Sequence, residues 1–144
     1  MTNSKPRVFF DSSVLFCAFC SKTGGSAILF GLVKKGLIVG FTSQTAIEET
    51  EKNLEDFNNL KANIRPEIAE SGIIVLEKIG AGDIAPYFIK IHKKDAHIIA
   101  GARLTKSTHV LTLDKKHINN PATKAKFPDL KIVSPKELLE IIKD

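Results

Sequence analysis

Cysteine is scarce. Only Cys17 and Cys20 are present, too few for the disulfide framework of a small secreted domain, so a reducing, cytoplasmic setting is expected. Long apolar runs are missing too. None approaches the ~20 residues that a bilayer-spanning helix needs, so no membrane association is expected. The leading segment Met1–Pro6 is short and polar, unlike a secretory signal. No internal repeat, low-complexity tract or long linker interrupts the chain, which points to one domain. What is present is the balance of a folded protein: 43% hydrophobic and 26% charged residues, which excludes disorder as the main state. A length of 144 residues suits one domain, 1–144, able to bury a core without a disulfide or metal staple. Lysine and arginine total 21 against 16 acids, a net charge of +5, a weak pointer to a polyanionic partner.

That charge is uneven. Lys90–Lys126 carries nine Lys/Arg against two Asp and holds all four histidines, whereas Glu48–Asp56 carries five acids against one Lys. Apolar periodicity predicts the elements. Val8–Phe10 reads as a buried strand ended by Asp11. Ser12 or Ser13 caps a helix through Phe16 and Phe19, broken at Gly24-Gly25. Ser26–Lys35 is a second helix stopped at Gly36, and Leu37–Phe41 a strand. Thr42 or Ser43 caps a helix reaching about Leu54, and a further helical stretch crosses Phe57–Ala69. Ile73–Leu76 is a strand, Gly80–Gly82 a loop, and Ile84–Ile91 a short helix. Asp95–Thr105 is an amphipathic helix, His109–Leu113 a strand, Asn119–Pro128 a loop, Lys131–Val133 a strand, and Pro135–Ile142 a helix with proline in its first position. Short, nearly all-apolar strands alternating with helices predict a three-layer α/β/α, Rossmann-like domain around a parallel sheet of about five strands. Function in such sheets sits at the carboxyl edge.

Asp11 and Asp114 directly follow strands at that edge. Asp95 starts a helix running back along its sheet, so it lies at the same edge. The helix after Ser43 rises from there as well and carries Glu48, Glu49 and Glu51. At ~100° per residue, Ala46, Ile47, Thr50, Leu54 and Phe57 form its buried stripe. Glu48 points away from the stripe, and Glu49 and Glu51 flank it on opposite sides, so periodicity leaves the choice between those two open. Singly, Asp11 and Asp95 can be helix N-caps and Asp114 the cap of the Lys115–His117 turn. Acids gathered at one edge repel one another, and a hard divalent cation with oxygen ligands, Mg²⁺ or Mn²⁺, relieves this. Two such ions ~4 Å apart can clamp an in-line phosphoryl displacement, and nearby lysines draw in a polyanion.

The segments Val8–Leu15 (VFFDSSVL), Lys94–Ala102 (KDAHIIAGA) and Leu111–His117 (LTLDKKH) resemble three sequence blocks of the PIN-domain family. Ser43 followed six positions later by Glu49 resembles a fourth, a register that picks Glu49 over Glu51. The resemblance spans nearly the whole chain in the expected order. It implies a metal-dependent endoribonuclease whose catalytic and metal-binding acids match Asp11, Glu49, Asp95 and Asp114, with one or two Mg²⁺ or Mn²⁺ ions. Many small prokaryotic members resemble VapC toxins, which implies a cognate antitoxin as partner and a homodimer. Two departures stand out: Ser12 and Ser13 follow the first Asp, where Thr or Asn is frequent, and His117 stands where some members have a further acid.

Around the acids, Ser12 and Thr112 can hydrogen-bond a carboxylate ligand, and Lys93, Lys94, Lys115 and Lys116 can grip RNA phosphates. Cys17-Ala-Phe-Cys20 lies within a predicted helix without a second cysteine pair, so buried reduced thiols are expected rather than zinc or redox chemistry. His97 and His117 lie near two of the acids but are assigned no catalytic role. A receiver domain would need an Asp after the third strand, and a haloacid-dehalogenase-like phosphatase an Asp at position 13. The glycine patches do not link a strand to a helix as a dinucleotide loop does. Two alternatives share the acids: a non-catalytic α/β module whose acidic pocket binds Arg of a protein partner, and a metal-dependent DNA nuclease.

Overall fold

Val8, Phe9 and Phe10 have no exposed surface, as a strand covered on both faces requires. The computed structural model, which describes residues 5–77 and 79–143, places them in β1 (Arg7–Phe10), at the centre of the sheet. β2 (Val39–Ser43), β3 (Ile74–Leu76), β4 (His109–Leu111) and β5 (Lys131–Val133) complete a five-stranded sheet in the order β3-β2-β1-β4-β5, with every pairing parallel. Phe9 stands opposite both Phe41 and Val110. The chain builds outward from β1 to β3 and then crosses back to β4. The winding direction therefore reverses between β1 and β4, where a parallel sheet opens a crevice at its carboxyl ends.

Side chains alternate across a strand, and this divides the core. Val8, Phe10, Leu111 and Val133 pack against one layer, built from α1 (Ser12–Cys20), α2 (Gly25–Lys34), α3 (Gln44–Asn58), α4 (Arg65–Ser71) and α8 (Pro135–Lys143). Phe9, Phe41, Val110 and Ile132 face the other layer, dominated by α6 (Ala96–Leu104) with Ile118, Phe127 and Leu130 beside it. α6 lies very close to β1. A Cβ at Gly101 would fall 2.5 Å from Phe9 Cζ, so a side chain there needs the ring to move. The chain is thus the expected three-layer α/β/α fold.

Several element bounds differ from the sequence reading. The helical stretch Phe57–Ala69 is two pieces. α3 runs on to Asn58 and ends on Asn59, whose φ of 60° is left-handed, and α4 begins afresh at Arg65 with proline in its first turn. Asn tolerates that conformation better than most residues. The segment 119–128 contains α7 (Pro121–Lys126), whose N-cap Asn120 accepts from Thr123 N at 2.8 Å. The helix expected over Ile84–Ile91 starts earlier, as α5 (Ala81–Ile84), and continues only as a 3₁₀ turn over Ala85–Tyr87. β2 lies two residues later than the predicted strand, because Gly36, at φ 79°, and Leu37 close the end of α2. β4 stops at Leu111, not Leu113. Cys17 is half-buried and Cys20 exposed, so the expectation of two buried thiols is corrected. Among the described residues, no single helix is long and apolar enough to cross a membrane.

Candidate metal centre

Four acids reach the carboxyl edge on four different elements. Asp11 follows β1, Asp114 follows β4, Glu49 lies in the second turn of α3 after β2, and Asp95 is the N-cap of α6. Asp11 is 4% exposed and is held from three sides. Its Oδ1 accepts from Ser12 N at 2.7 Å, and its Oδ2 accepts from Ser13 Oγ at 2.9 Å and Thr112 Oγ1 at 2.7 Å. Both hydroxyls are anchored in turn: Ser13 Oγ accepts from Leu113 N at 3.0 Å and Thr112 Oγ1 from Asp114 N at 3.1 Å. These bonds tie the end of β1 to the end of β4. Thr112 is where the sequence placed a supporting hydroxyl. The Ser12 hydroxyl is 3.4 Å from Oδ1, so Ser12 serves mainly through its backbone, and Ser13 takes the supporting role.

The other acids are more open. Asp114 Oδ1 accepts from His117 N at 3.0 Å, and its Oδ2 lies 3.2 Å from His117 Nδ1. Asp95 stands in the N-cap position, yet its carboxylate caps nothing. Glu49 is half-buried, with its Oε2 3.4 Å from His97 Nε2. Glu51, the other candidate on α3, is occupied elsewhere: its Oε2 accepts from Ile64 N at 3.0 Å and fastens the segment before α4. Glu48 is exposed.

Carboxylate and imidazole atoms of Asp95, Asp114 and His117 all lie within 4.8 Å of one another. Asp11 and Glu49 lie outside that tightest group; the charge of Asp11 acts on Asp95, and that of Glu49 acts on Asp11. Burial pushes the Asp11 carboxyl above its ordinary range, against the hydrogen bonds from Thr112, Ser13 and Ser12, and the charge of Glu49 adds to the rise. Partial burial raises Asp95 too, reinforced by Asp114 and Asp11 and countered by His117 and His92. For His97, burial favours the neutral ring, but the Glu49 contact and the charges of Asp11 and Asp95 outweigh it and raise its pKa. Among the described residues, none of the four acids pairs with Lys or Arg; the nearest basic side chains are the imidazoles of His97, against Glu49, and His117, against Asp114. Oxygen donors converging without a Lys or Arg counter-ion suit a hard divalent cation.

The four lysines flank this edge. Lys93 and Lys94 are exposed just before Asp95, and Lys93 Nζ sits 5.2 Å from the centre of the Phe88 ring. Lys115 and Lys116 are exposed after Asp114 but diverge. Lys116 lines a groove of about 510 Å³ with Phe88, Lys90, His92, His117 and Lys126. Lys115 lines a larger, mainly apolar cleft of about 680 Å³ with Leu113, Pro135 and Leu139, and none of the four acids lines that cleft. Sequence reasoning missed Ser13 as a partner of Asp11 and His97 as a partner of Glu49. The position of Ser13 two residues beyond Asp11 was a usable signal, whereas the His97 contact depends on how α3 and α6 approach each other. The chain matches no known protein-family profile and no curated protein.

Proposed function

We propose that this chain is a PIN-like, metal-dependent endoribonuclease that hydrolyses RNA phosphodiesters. The observation that carries the reading is the gathering of four carboxylates from four elements at the sheet's reversal point, with no Lys or Arg paired to them among the described residues and with Asp95 free of any capping bond. Asp11, Glu49, Asp95 and Asp114 would hold one or two Mg²⁺ or Mn²⁺ ions. Such ions supply a hydroxide nucleophile from bound water and neutralise charge on the leaving oxygen. The protein's own part is positioning. Ser12, Ser13 and Thr112 fix the Asp11 carboxylate, His97 steadies Glu49, and the turn at Asp114 holds that carboxylate toward Asp95. Lys93, Lys94 and Lys116 draw the RNA backbone toward the acids. The resemblance to VapC-like PIN chains further suggests a toxin role, with a cognate antitoxin as partner and a homodimeric state.

The test is cleavage of single-stranded RNA beside single-stranded DNA, with Mn²⁺ or with EDTA. RNA cleavage is expected with Mn²⁺ and not with EDTA. Asp95→Asn is expected to lower it by about 100-fold or more with an unchanged circular dichroism spectrum. Preferential DNA cleavage would redirect the reading to a DNA nuclease. If metal neither activates nor stabilises the protein, the acids are left to bind a partner's Arg, and the nuclease reading is wrong.

A further inference from the structure

We propose that His117 supplies a nitrogen ligand to the cation held by Asp95 and Asp114, and that this donor biases the site toward Mn²⁺ over Mg²⁺. The inference rests on the metal reading above and goes further, because it names a non-carboxylate ligand and a metal preference.

Three features of the Asp114 turn support it. His117 is locked to Asp114 by its own backbone, whose N–H donates to Oδ1 at 3.0 Å, so ring and carboxylate emerge from one rigid turn. The ring Nδ1 and Asp114 Oδ2 are 3.2 Å apart. That contact is a direct hydrogen bond, and its length is close to the ~3.0 Å between neighbouring donors of an octahedral ion with bonds of ~2.1 Å, so a cation could replace the shared proton with little movement of either group. The third donor, Asp95, comes from a separate element, and donor atoms of all three residues lie within 4.8 Å of one another. His92 is the competing nitrogen source: its ring centroid is 6.1 Å from that of His117. Its Nδ1, however, accepts from Lys94 N at 3.2 Å, which leaves only Nε2 free.

Metal preference follows from the donor type. Mg²⁺ favours an all-oxygen shell and sheds water reluctantly. Imidazole favours the first-row transition ions, for which Mn²⁺ is the mildest case and Co²⁺ and Ni²⁺ bind more tightly. With an acid in place of His117, the same turn would present oxygen donors alone.

The experiment uses the full chain loaded with Mn²⁺. Pulsed electron paramagnetic resonance reads ¹⁴N coupled to the ion, and calorimetry gives Mn²⁺ and Mg²⁺ affinities separately. Wild type and His92→Asn are expected to show the nitrogen coupling, and His117→Asn and His117→Asp to lose it. His117→Asn is expected to weaken Mn²⁺ roughly tenfold while leaving Mg²⁺ within about twofold. His117→Asp, which restores an oxygen, is expected to keep Mn²⁺ binding and improve Mg²⁺ relative to it. Mn²⁺ binding without nitrogen coupling in wild type, coupling that persists in His117→Asn, or an unchanged Mn²⁺/Mg²⁺ ratio would each overturn the role of His117 and leave the carboxylate site standing. Failure of wild type to bind Mn²⁺ would overturn both. Because His117 is exposed, its variants are expected to fold.

Discussion

Asp11→Asn is expected to make the metal-free protein more stable and the metal-loaded protein less stable than wild type. Asp11 is almost fully buried beside Glu49, and burial raises its pKa despite three close hydrogen bonds. Ionised Asp11 therefore opposes folding. In the variant, Oδ1 keeps the bond from Ser12 N. The new amide nitrogen, in the place of Oδ2, can donate one hydrogen to Ser13 Oγ and one to Thr112 Oγ1. Those hydroxyls lose an acceptor for their own hydrogens, which returns part of the gain. A single stabilising replacement typically gives about 0.5–2 kcal/mol, and each kcal/mol shifts the melting temperature of a chain this size by about 3–5 °C. The sign with pH follows from linkage. The folded pKa lies above the unfolded one, so the native state binds the proton more tightly. Wild type then loses stability as pH rises from the ordinary carboxyl range through the raised folded value, and the variant lacks that loss. Thermal melts in EDTA between about pH 4 and 8 read this difference, together with the smaller changes that loss of the Asp11 charge makes to Asp95 and His97. With Mn²⁺ at 100 times its dissociation constant, wild type gains about 2.7 kcal/mol, the variant gains little, and the order of stability reverses. A variant less stable than wild type in EDTA would refute the view that the buried charge is a net burden. An equal Mn²⁺ shift in both proteins would refute Asp11 as a ligand.

Glu49 and Glu51 are expected to separate activity from stability. Glu51→Ala strips Ile64 N of its acceptor and costs about 1–3 kcal/mol in urea unfolding with cleavage retained, whereas Glu49→Ala abolishes cleavage with stability within about 0.5 kcal/mol; the opposite pattern would exchange their roles. Gly101→Ala drives a methyl into Phe9. Overpacking of about 1–3 kcal/mol exceeds the ~1 kcal/mol gain in helix propensity, so calorimetry is expected to show a lower melting temperature, and an unchanged one would mean that α6 and β1 have slack. Alanine at Lys93, Lys94, Lys115 or Lys116 is expected to reduce the salt dependence of single-stranded RNA affinity by about 0.7 in log–log slope for each lysine that contacts phosphate. Fluorescence anisotropy reads this, and a residue whose loss leaves the slope unchanged is a solvated lysine only.

Much of the fold could be read because its strands are short, apolar and separated by clear breaks. Val8–Phe10 and Lys131–Val133 were placed nearly as found, since strands buried on both faces give continuous apolar runs. The misreadings fall where local chemistry outweighs periodicity. Asn59 turns left-handed and splits one helical pattern into two, and the Asn120-Pro121 pair starts a helix inside a polar stretch that looked like loop. Both signals are single residues that a pattern spanning several turns averages away. The edge position of Asp11, Asp95 and Asp114 followed from topology, while Glu49 was chosen over Glu51 only by the register of the resemblance. Their partners followed in part: Thr112 was foreseen and Ser13 lies only two residues beyond Asp11, whereas the contact of His97 with Glu49 joins residues far apart in sequence.

Capping and metal binding need not compete for these acids. A carboxylate offers about four lone-pair positions. Asp11 commits Oδ2 to two hydroxyls and part of Oδ1 to Ser12 N, so little is left open. Asp114 commits one position to His117 N and faces the His117 ring with its other oxygen. Asp95, in a cap position it does not use, commits none to capping. Commitment thus falls from the buried Asp11 to the half-buried Asp95. Asp11 is an anchor whose orientation is set by both strand ends, and Asp95 an open donor whose orientation is left to whatever it binds. A cap at Asp11 would therefore favour metal binding there, because the hydrogen bonds that satisfy the helix also hold the one remaining lone pair in a fixed direction.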